Sequence, residues 1–293
     1  MEFGRLITAM VTPFDAEGHI DWQTTEKLID YLIDNQKSDS LVVSGTTGES
    51  PTLTEDEKLD LFRFVVKHVD GRCKIIAGTG SNNTAHSIHL TKAAEECGVD
   101  GILLVAPYYN RPSQEGLYLH FKAIAESTSL PVILYNVEGR TGVNISAVTT
   151  LRLAQIENIV ATKDCASLDQ LTQIIAQAPE GFKVYSGDDS ATLPALAIGG
   201  YGIVSVASHI IGAEMKAMIE AYLTGQHERA AKLNGELFPI FKGLFQCPHP
   251  VPNPVAVKYV MGLKGLPVGG VRLPLVDVND AEARFLHDLI HRI

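Results

Sequence analysis

The stretch Gly101-Ile102-Leu103-Leu104-Val105 is a short apolar run, and an amphipathic stretch that begins at Ser113 follows it. The run is continuous rather than alternating, which is typical of a parallel strand covered on both faces. Seven more runs of this kind, rich in β-branched residues and bounded by Gly, Pro, Asn or Thr, recur along the chain. They lie at residues 6–11, 40–43, 74–77, 131–135, 159–163, 183–186 and 202–206.

Amphipathic stretches of helical period separate these runs. Thr54-Glu55-Asp56-Glu57 is a capping box that opens a helix through Val69, and Thr84 is the predicted cap of the next helix. Eight strand-then-helix units predict an α/β fold, a closed (β/α)8 TIM barrel. An open doubly wound sheet is the alternative, but the glycine-rich dinucleotide turn that often marks it does not follow the first run.

Beyond the eighth unit the sequence predicts helices without strands. These helices are expected at residues 213–223, 227–245, 254–263 and 279–293. We therefore expect a barrel over residues 1–224 and a C-terminal helical region over residues 225–293.

The charge balance restricts the partners that the protein can have. Of 293 residues, 34 are Asp or Glu and 24 are Lys or Arg, which gives a formal net charge of −10. Nucleic acids and anionic membrane surfaces attract basic faces, so neither is an expected partner. No group of residues at the strand ends has metal-ligand spacing, and we expect neither a metal nor a cofactor.

The cysteines indicate a compartment. Cys73, Cys97, Cys165 and Cys247 are too few and too scattered for a disulfide framework. We interpret them as free thiols of a reducing compartment, the cytoplasm, and residues 1–5 do not show the pattern of a signal peptide.

Lys163 and Tyr135 stand where a barrel carries its reacting groups, at the C-terminal ends of strands. An apolar barrel mouth would desolvate the Lys163 ammonium, lower its pKa and leave an amine that can attack a ketone. A solvated lysine at a strand end is the alternative. Tyr135 could act as general acid and base, or pack in the core with its hydroxyl satisfied.

Two other groups suit carboxylates. The turn Gly45-Thr46-Thr47-Gly48 offers backbone N–H groups and two hydroxyls at one point, unless it is a plain strand-to-helix turn. Arg140 could clamp a carboxylate through its planar fork, although a loop arginine otherwise usually lies on the surface.

Four motifs, taken in this order, resemble the 4-hydroxy-tetrahydrodipicolinate synthase family, also called dihydrodipicolinate synthase. They are Gly45-Thr46-Thr47-Gly48-Glu49-Ser50, the decapeptide PYYNRPSQEG at 107–116, Tyr135-Asn136-x-x-Gly139-Arg140-Thr141-Gly142 and Ser186-Gly187-Asp188-Asp189. The resemblance runs from about residue 6 to residue 275. It implies a Schiff-base lyase, related to N-acetylneuraminate lyase, that condenses pyruvate with L-aspartate 4-semialdehyde on the diaminopimelate route to lysine.

The resemblance also implies catalytic roles. Lys163 would form an imine with pyruvate, and the resulting enamine would attack the aldehyde. Tyr135, Thr46 and Tyr109 would form a proton relay. In the family the tyrosine at the position of Tyr109 reaches into the neighbouring subunit's site, so a homodimer or homotetramer is expected.

Binding roles are implied in the same way. Thr47 would hold the pyruvate carboxylate, and Arg140 would hold the carboxylate of the semialdehyde. Backbone carbonyls of Gly187 and Val204 would line the surroundings of the lysine.

The sequence departs from the family near these residues. Glu138 replaces a common proline and is expected either to pair with Arg140 or to weaken capture of an anionic substrate. The segment after Lys163, which begins Asp164-Cys165, is one residue shorter than usual. These loops leave open a sibling pyruvate aldolase that acts on a sugar acid. A non-catalytic small-molecule binder on the same barrel is the rival from another class.

A further departure concerns inhibition. Where lysine-inhibited members carry a histidine pair and a glutamate, this sequence has Glu55, Lys58 and His86. The residues that match that site are Ser50, Asn82 and Tyr108. We therefore expect weak or absent inhibition by L-lysine.

Overall fold

The eight apolar runs form a closed parallel barrel in the structure, a computed structural model that describes residues 2–291. The strands are β1 Leu6–Ala9, β2 Ser40–Val43, β3 Lys74–Gly78, β4 Gly101–Val105, β5 Val132–Asn136, β6 Ile159–Asp164, β7 Lys183–Ser186 and β8 Gly202–Ser205. Each strand pairs with the next in the sequence, and β8 pairs with β1. The predicted barrel is confirmed, and its closure excludes the open sheet.

Helices connect the strands and continue beyond the barrel. They are α1 Trp22–Asp30, α2 Glu55–Val69, α3 Thr84–Glu96, α4 Gln114–Ala125, α5 Glu138–Thr141, α6 Ala147–Leu153, α7 Leu168–Gln177, α8 Thr192–Ala197, α9 Ser208–Leu223, α10 His227–Gly243, α11 Val255–Leu263 and α12 Asp280–Ile290. Residues 292–293 of the last predicted helix lie outside the described residues. None of the helices in the described part of the chain is long and apolar enough to cross a membrane.

The helix starts follow from their caps. Thr54 and Glu57 form the predicted capping box of α2. The predicted cap of α3 at Thr84 is wrong by one residue. Asn83 has the extended backbone of a cap and its side chain accepts from the N–H of His86, so Thr84 is already helical.

The strands are apolar throughout because both of their faces are buried. One cluster fills the barrel interior and includes Ile7, Val42, Ile76, Leu103 and Ile133. The intervening strand residues join a larger cluster under the helices. This two-sided burial explains why the runs do not alternate with polar residues.

The C-terminal segments are fastened to the barrel by ion pairs. Lys258 of α11 donates from Nζ to Glu49 Oε1 over 2.8 Å, and the two side chains are 2% and 1% exposed. The backbone N–H of Arg272 donates to the other oxygen of Glu49 over 2.9 Å. The Arg272 guanidinium also pairs with Glu57 and lowers the pKa of that carboxyl to about 2.

The Lys258–Glu49 pair yields a stability prediction. Lys258→Met would leave a buried carboxylate without its cation, so the free energy of unfolding should fall by about 3–5 kcal/mol. The control is Lys232→Met, because Lys232 pairs with Glu236 where the two side chains are 78% and 56% exposed. Urea unfolding of both variants tests this expectation, and equal losses would contradict it.

Candidate active site

Lys163 is a buried lysine. It lies in β6, is 5% exposed, and is in register with Tyr135 of β5 on one side and Tyr185 of β7 on the other. Its Nζ lies 4.0 Å from the centroid of the Tyr135 ring, where the ring quadrupole attracts a cation. Strand β6 ends one residue later than predicted, at Asp164.

A cavity of about 270 Å³ opens beside Lys163 at the C-terminal ends of the strands. Six of the eight residues singled out in the sequence line it: Thr46, Thr47, Tyr135, Arg140, Lys163 and Gly187. Tyr109 and Val204 are not among its lining residues. Val204 is buried in β8, and Val206 lines the cavity instead.

Gly187 approaches the lysine closely. A Cβ added at this position would collide with the Cys165 sulfur and crowd the Lys163 Cε atom. Burial raises the pKa of the Cys165 thiol to about 11, so Cys165 lines the cavity as a neutral thiol.

Arg140 is exposed at the rim of the cavity, in the short helix α5. Within residues 2–291 its guanidinium makes neither a hydrogen bond nor an ion pair, with Glu138 or with any other carboxylate. The expected Glu138–Arg140 pair is therefore not formed in the described residues, and the arginine is free to bind an anion.

Asp164 follows Lys163 but belongs to a different network. Its carboxylate accepts from the Asn136 amide at 3.1 Å, from the Gln170 amide at 3.1 Å and from the N–H of Ala166 at 2.7 Å. Burial raises its pKa, and these hydrogen bonds oppose the rise. Because this network joins the segments that follow β5 and β6, it holds the altered loops in place.

Tyr109 is 90% exposed and has a backbone φ of +76°. The N–H of Asn110 donates to the carbonyl of Tyr108 over 3.0 Å, so Tyr109 is the centre of a three-residue turn. A positive φ is strained for a tyrosine, and such strain is often found at functional sites. The turn holds the Tyr109 ring out in solvent, away from the cavity of its own chain.

A larger cavity of about 790 Å³ adjoins the first, and Thr46, Tyr135 and Arg140 line both. Glu55 lines it and pairs with His86 at 3.5 Å and with His89 at 2.7 Å. Its other lining residues include Ser50, Lys58, Asn82 and Tyr108.

Lys58 is a cation of the larger cavity that has no ion pair in the described residues. Burial lowers the pKa of Lys58, and the charge of Glu55 opposes that change. The cavity therefore contains, beside Glu55, a lysine amine that no carboxylate pairs with in the described residues.

Within residues 2–291 no cluster of three or more His, Cys, Asp or Glu could hold a metal ion.

One part of the smaller cavity has no clear sequence signal. The sequence does not predict that residues of the C-terminal region form one wall of the smaller cavity. This wall consists of Phe241, Lys242, Phe245, Gln246 and Asn253. Among these five residues, only Asn253 stands out in the sequence, because a proline flanks it on each side.

Comparison with known proteins shows which family the chain resembles. The sequence model of the dihydrodipicolinate synthetase family matches residues 2–293. The chain is 58% identical to 4-hydroxy-tetrahydrodipicolinate synthase 1 of Halalkalibacterium halodurans, over 98% of this chain and 96% of that protein.

Solved structures agree with the sequence comparison. Dihydrodipicolinate synthase from Bacillus anthracis is 54% identical and has a TM-score of 0.97, covering 100% of this chain and 99% of that one. The chloride-inhibited dihydrodipicolinate synthase of Acinetobacter baumannii complexed with pyruvate is 38% identical, with a TM-score of 0.95 and 99% of each chain covered. The chain belongs to the dihydrodipicolinate synthetase family.

Proposed function

We propose that the chain is a lyase that condenses pyruvate with L-aspartate 4-semialdehyde to give 4-hydroxy-tetrahydrodipicolinate, in the biosynthesis of diaminopimelate and lysine. The observation that carries the proposal is the Lys163 amine, buried over the Tyr135 ring in a cavity that also contains Thr46, Thr47 and Arg140. The family membership and the names of the relatives support the same reaction.

The proposed chemistry begins at Lys163. Its neutral amine attacks the ketone carbon of pyruvate, and loss of water leaves a protonated imine. The imine withdraws electrons, so a proton leaves the methyl carbon and an enamine forms. That carbon then bonds to the aldehyde carbon of the semialdehyde, whose oxygen takes up a proton. The amino group of the semialdehyde then attacks the imine carbon, which closes the ring and releases the Lys163 amine. No metal or organic cofactor is needed, because the imine itself accepts the electrons.

Proton transfer falls to groups that line the cavity. The Tyr135 hydroxyl makes no hydrogen bond within the described residues, and Thr46 lines the same cavity. We assign the relay to these two residues and to Tyr109 of a neighbouring subunit. The exposure of Tyr109 supports a homo-oligomer in which this side chain enters the partner's site.

Both substrates are anions, whereas the protein carries a formal net charge of −10. Long-range attraction would not concentrate them, so local groups must capture them. We assign the pyruvate carboxylate to Thr47 and the semialdehyde carboxylate to Arg140, whose guanidinium has no ion pair in the described chain. A cytoplasmic location belongs to this proposal and is supported by four free cysteines.

A steady-state rate assay tests the proposed reaction. With pyruvate present, L-aspartate 4-semialdehyde should be the preferred aldehyde by kcat/KM over aldehydes derived from sugars. A preference for a sugar-derived aldehyde would instead identify the sibling aldolase, and binding of pyruvate without turnover would identify a non-catalytic binder.

Tyr135 and Tyr185 provide a matched pair of tyrosines, because both neighbour Lys163 in register. Tyr135→Phe removes the proposed acid and base, so kcat should fall by about 10²-fold or more. Tyr185→Phe removes a hydroxyl that bonds to the Gly4 carbonyl over 2.9 Å, and kcat should be nearly unchanged. Similar rate losses in both variants would argue against the assigned role of Tyr135.

Inhibition by L-lysine is expected to be weak or absent. The larger cavity presents the Lys58 charge, which repels a cationic side chain, and the Glu55 carboxylate is already paired with His86 and His89. Rates measured over a lysine titration should show no half-maximal inhibition below about 1 mM, which corresponds to about 4 kcal/mol of binding free energy. Inhibition below that concentration would refute the expectation.

A further inference from the structure

The C-terminal region contributes an asparagine to the smaller cavity. Asn253 lies between α10 and α11 in the chain and 206 residues from Thr47, yet its side-chain amide donates to the Thr47 hydroxyl oxygen over 2.9 Å. Asn253 is 8% exposed and Thr47 is 2% exposed, so the bond is shielded from water. Both residues line the cavity that contains Lys163.

This hydrogen bond determines what the Thr47 hydroxyl can do. A threonine hydroxyl has one proton to donate and two lone pairs that accept. The Asn253 N–H occupies an acceptor position, and the hydroxyl makes no other hydrogen bond within residues 2–291. Its proton therefore remains available for an anion in the cavity, where a hydrogen bond to a charged acceptor is stronger than one to a neutral acceptor.

The turn that carries Thr47 is fixed independently of Asn253. Glu49, two residues further, is buried and is held by Lys258 and by the N–H of Arg272. Loss of the Asn253 amide should therefore release the hydroxyl without releasing the turn.

We propose that Asn253 is a positioning residue that orients the Thr47 hydroxyl as a donor to the carboxylate of the ketoacid substrate. The proposal rests on the proposed function, in which Thr47 holds the pyruvate carboxylate. Asn253 acts through Thr47, so it sets affinity for pyruvate and not the rate of the later steps.

The test is a double-mutant cycle on steady-state kinetics of the full-length protein. Asn253→Ala and Thr47→Val should each raise the KM for pyruvate about tenfold, with kcat and the KM for the semialdehyde changed less than about twofold. The double variant should also show about a tenfold rise, because both changes remove the same interaction. Asn234→Ala is the control, since this asparagine of α10 makes no side-chain hydrogen bond in the described chain, and its KM should be unchanged.

The possible outcomes separate the two proposals. A parent protein that does not turn over pyruvate would overturn the proposed function and this inference together. A working parent whose pyruvate KM is unmoved by Asn253→Ala would overturn the inference alone. So would a double variant with about a hundredfold rise, which indicates independent contributions.

The same measurements would also reveal a purely structural role of Asn253. It would lower kcat and raise both KM values together, along with a lower thermal midpoint, and that pattern would overturn the inference. If Asn253→Ala does not fold, Asn253→Asp preserves the size of the side chain. Its carboxylate can only accept from the Thr47 hydroxyl, so the pyruvate KM should rise by at least the same factor.

Discussion

The burial of the Lys163 side chain is the constraint on which the rest of the site depends. Closure of the barrel places β6 between β5 and β7, so the lysine is enclosed by Tyr135 and Tyr185 in register. A buried amine that lines the cavity in this way can attack a ketone bound there. The same closure brings the turns after β2, β5 and β7 to one opening, and these turns carry Thr47, Arg140 and Gly187.

The C-terminal region is part of this arrangement. Asn253 touches the hydroxyl of Thr47, Lys258 pairs with Glu49 in the same turn, and Arg272 joins that turn to the start of α2. The turn is thus held from outside the barrel at three points. A boundary near residue 224 falls between α9 and α10, after the last strand and the helix that follows it, but the separation of the chain into two units there stays a prediction.

Much of the fold is predictable from local sequence. Continuous β-branched runs specify buried parallel strands, and all eight runs become strands whose ends differ from prediction by no more than two residues. Lys163 and Tyr135 are predictable site residues because a barrel places its chemistry at the strand ends. The helix cap at Asn83 is missed because Thr84 beside it is an equally good capping residue in sequence.

Contacts between distant segments are not predictable in this way. The Asn253–Thr47 bond joins residues 206 positions apart, and no periodicity encodes it. Glu138 and Arg140 are close in sequence, yet both side chains remain exposed without pairing, because the short helix α5 leaves them in water where an ion pair gains little. The most direct test of the account is borohydride reduction of the protein with pyruvate, followed by mass mapping of its peptides. The account predicts one stable adduct on the peptide that contains Lys163, whereas no adduct, or an adduct on a different lysine, would contradict it.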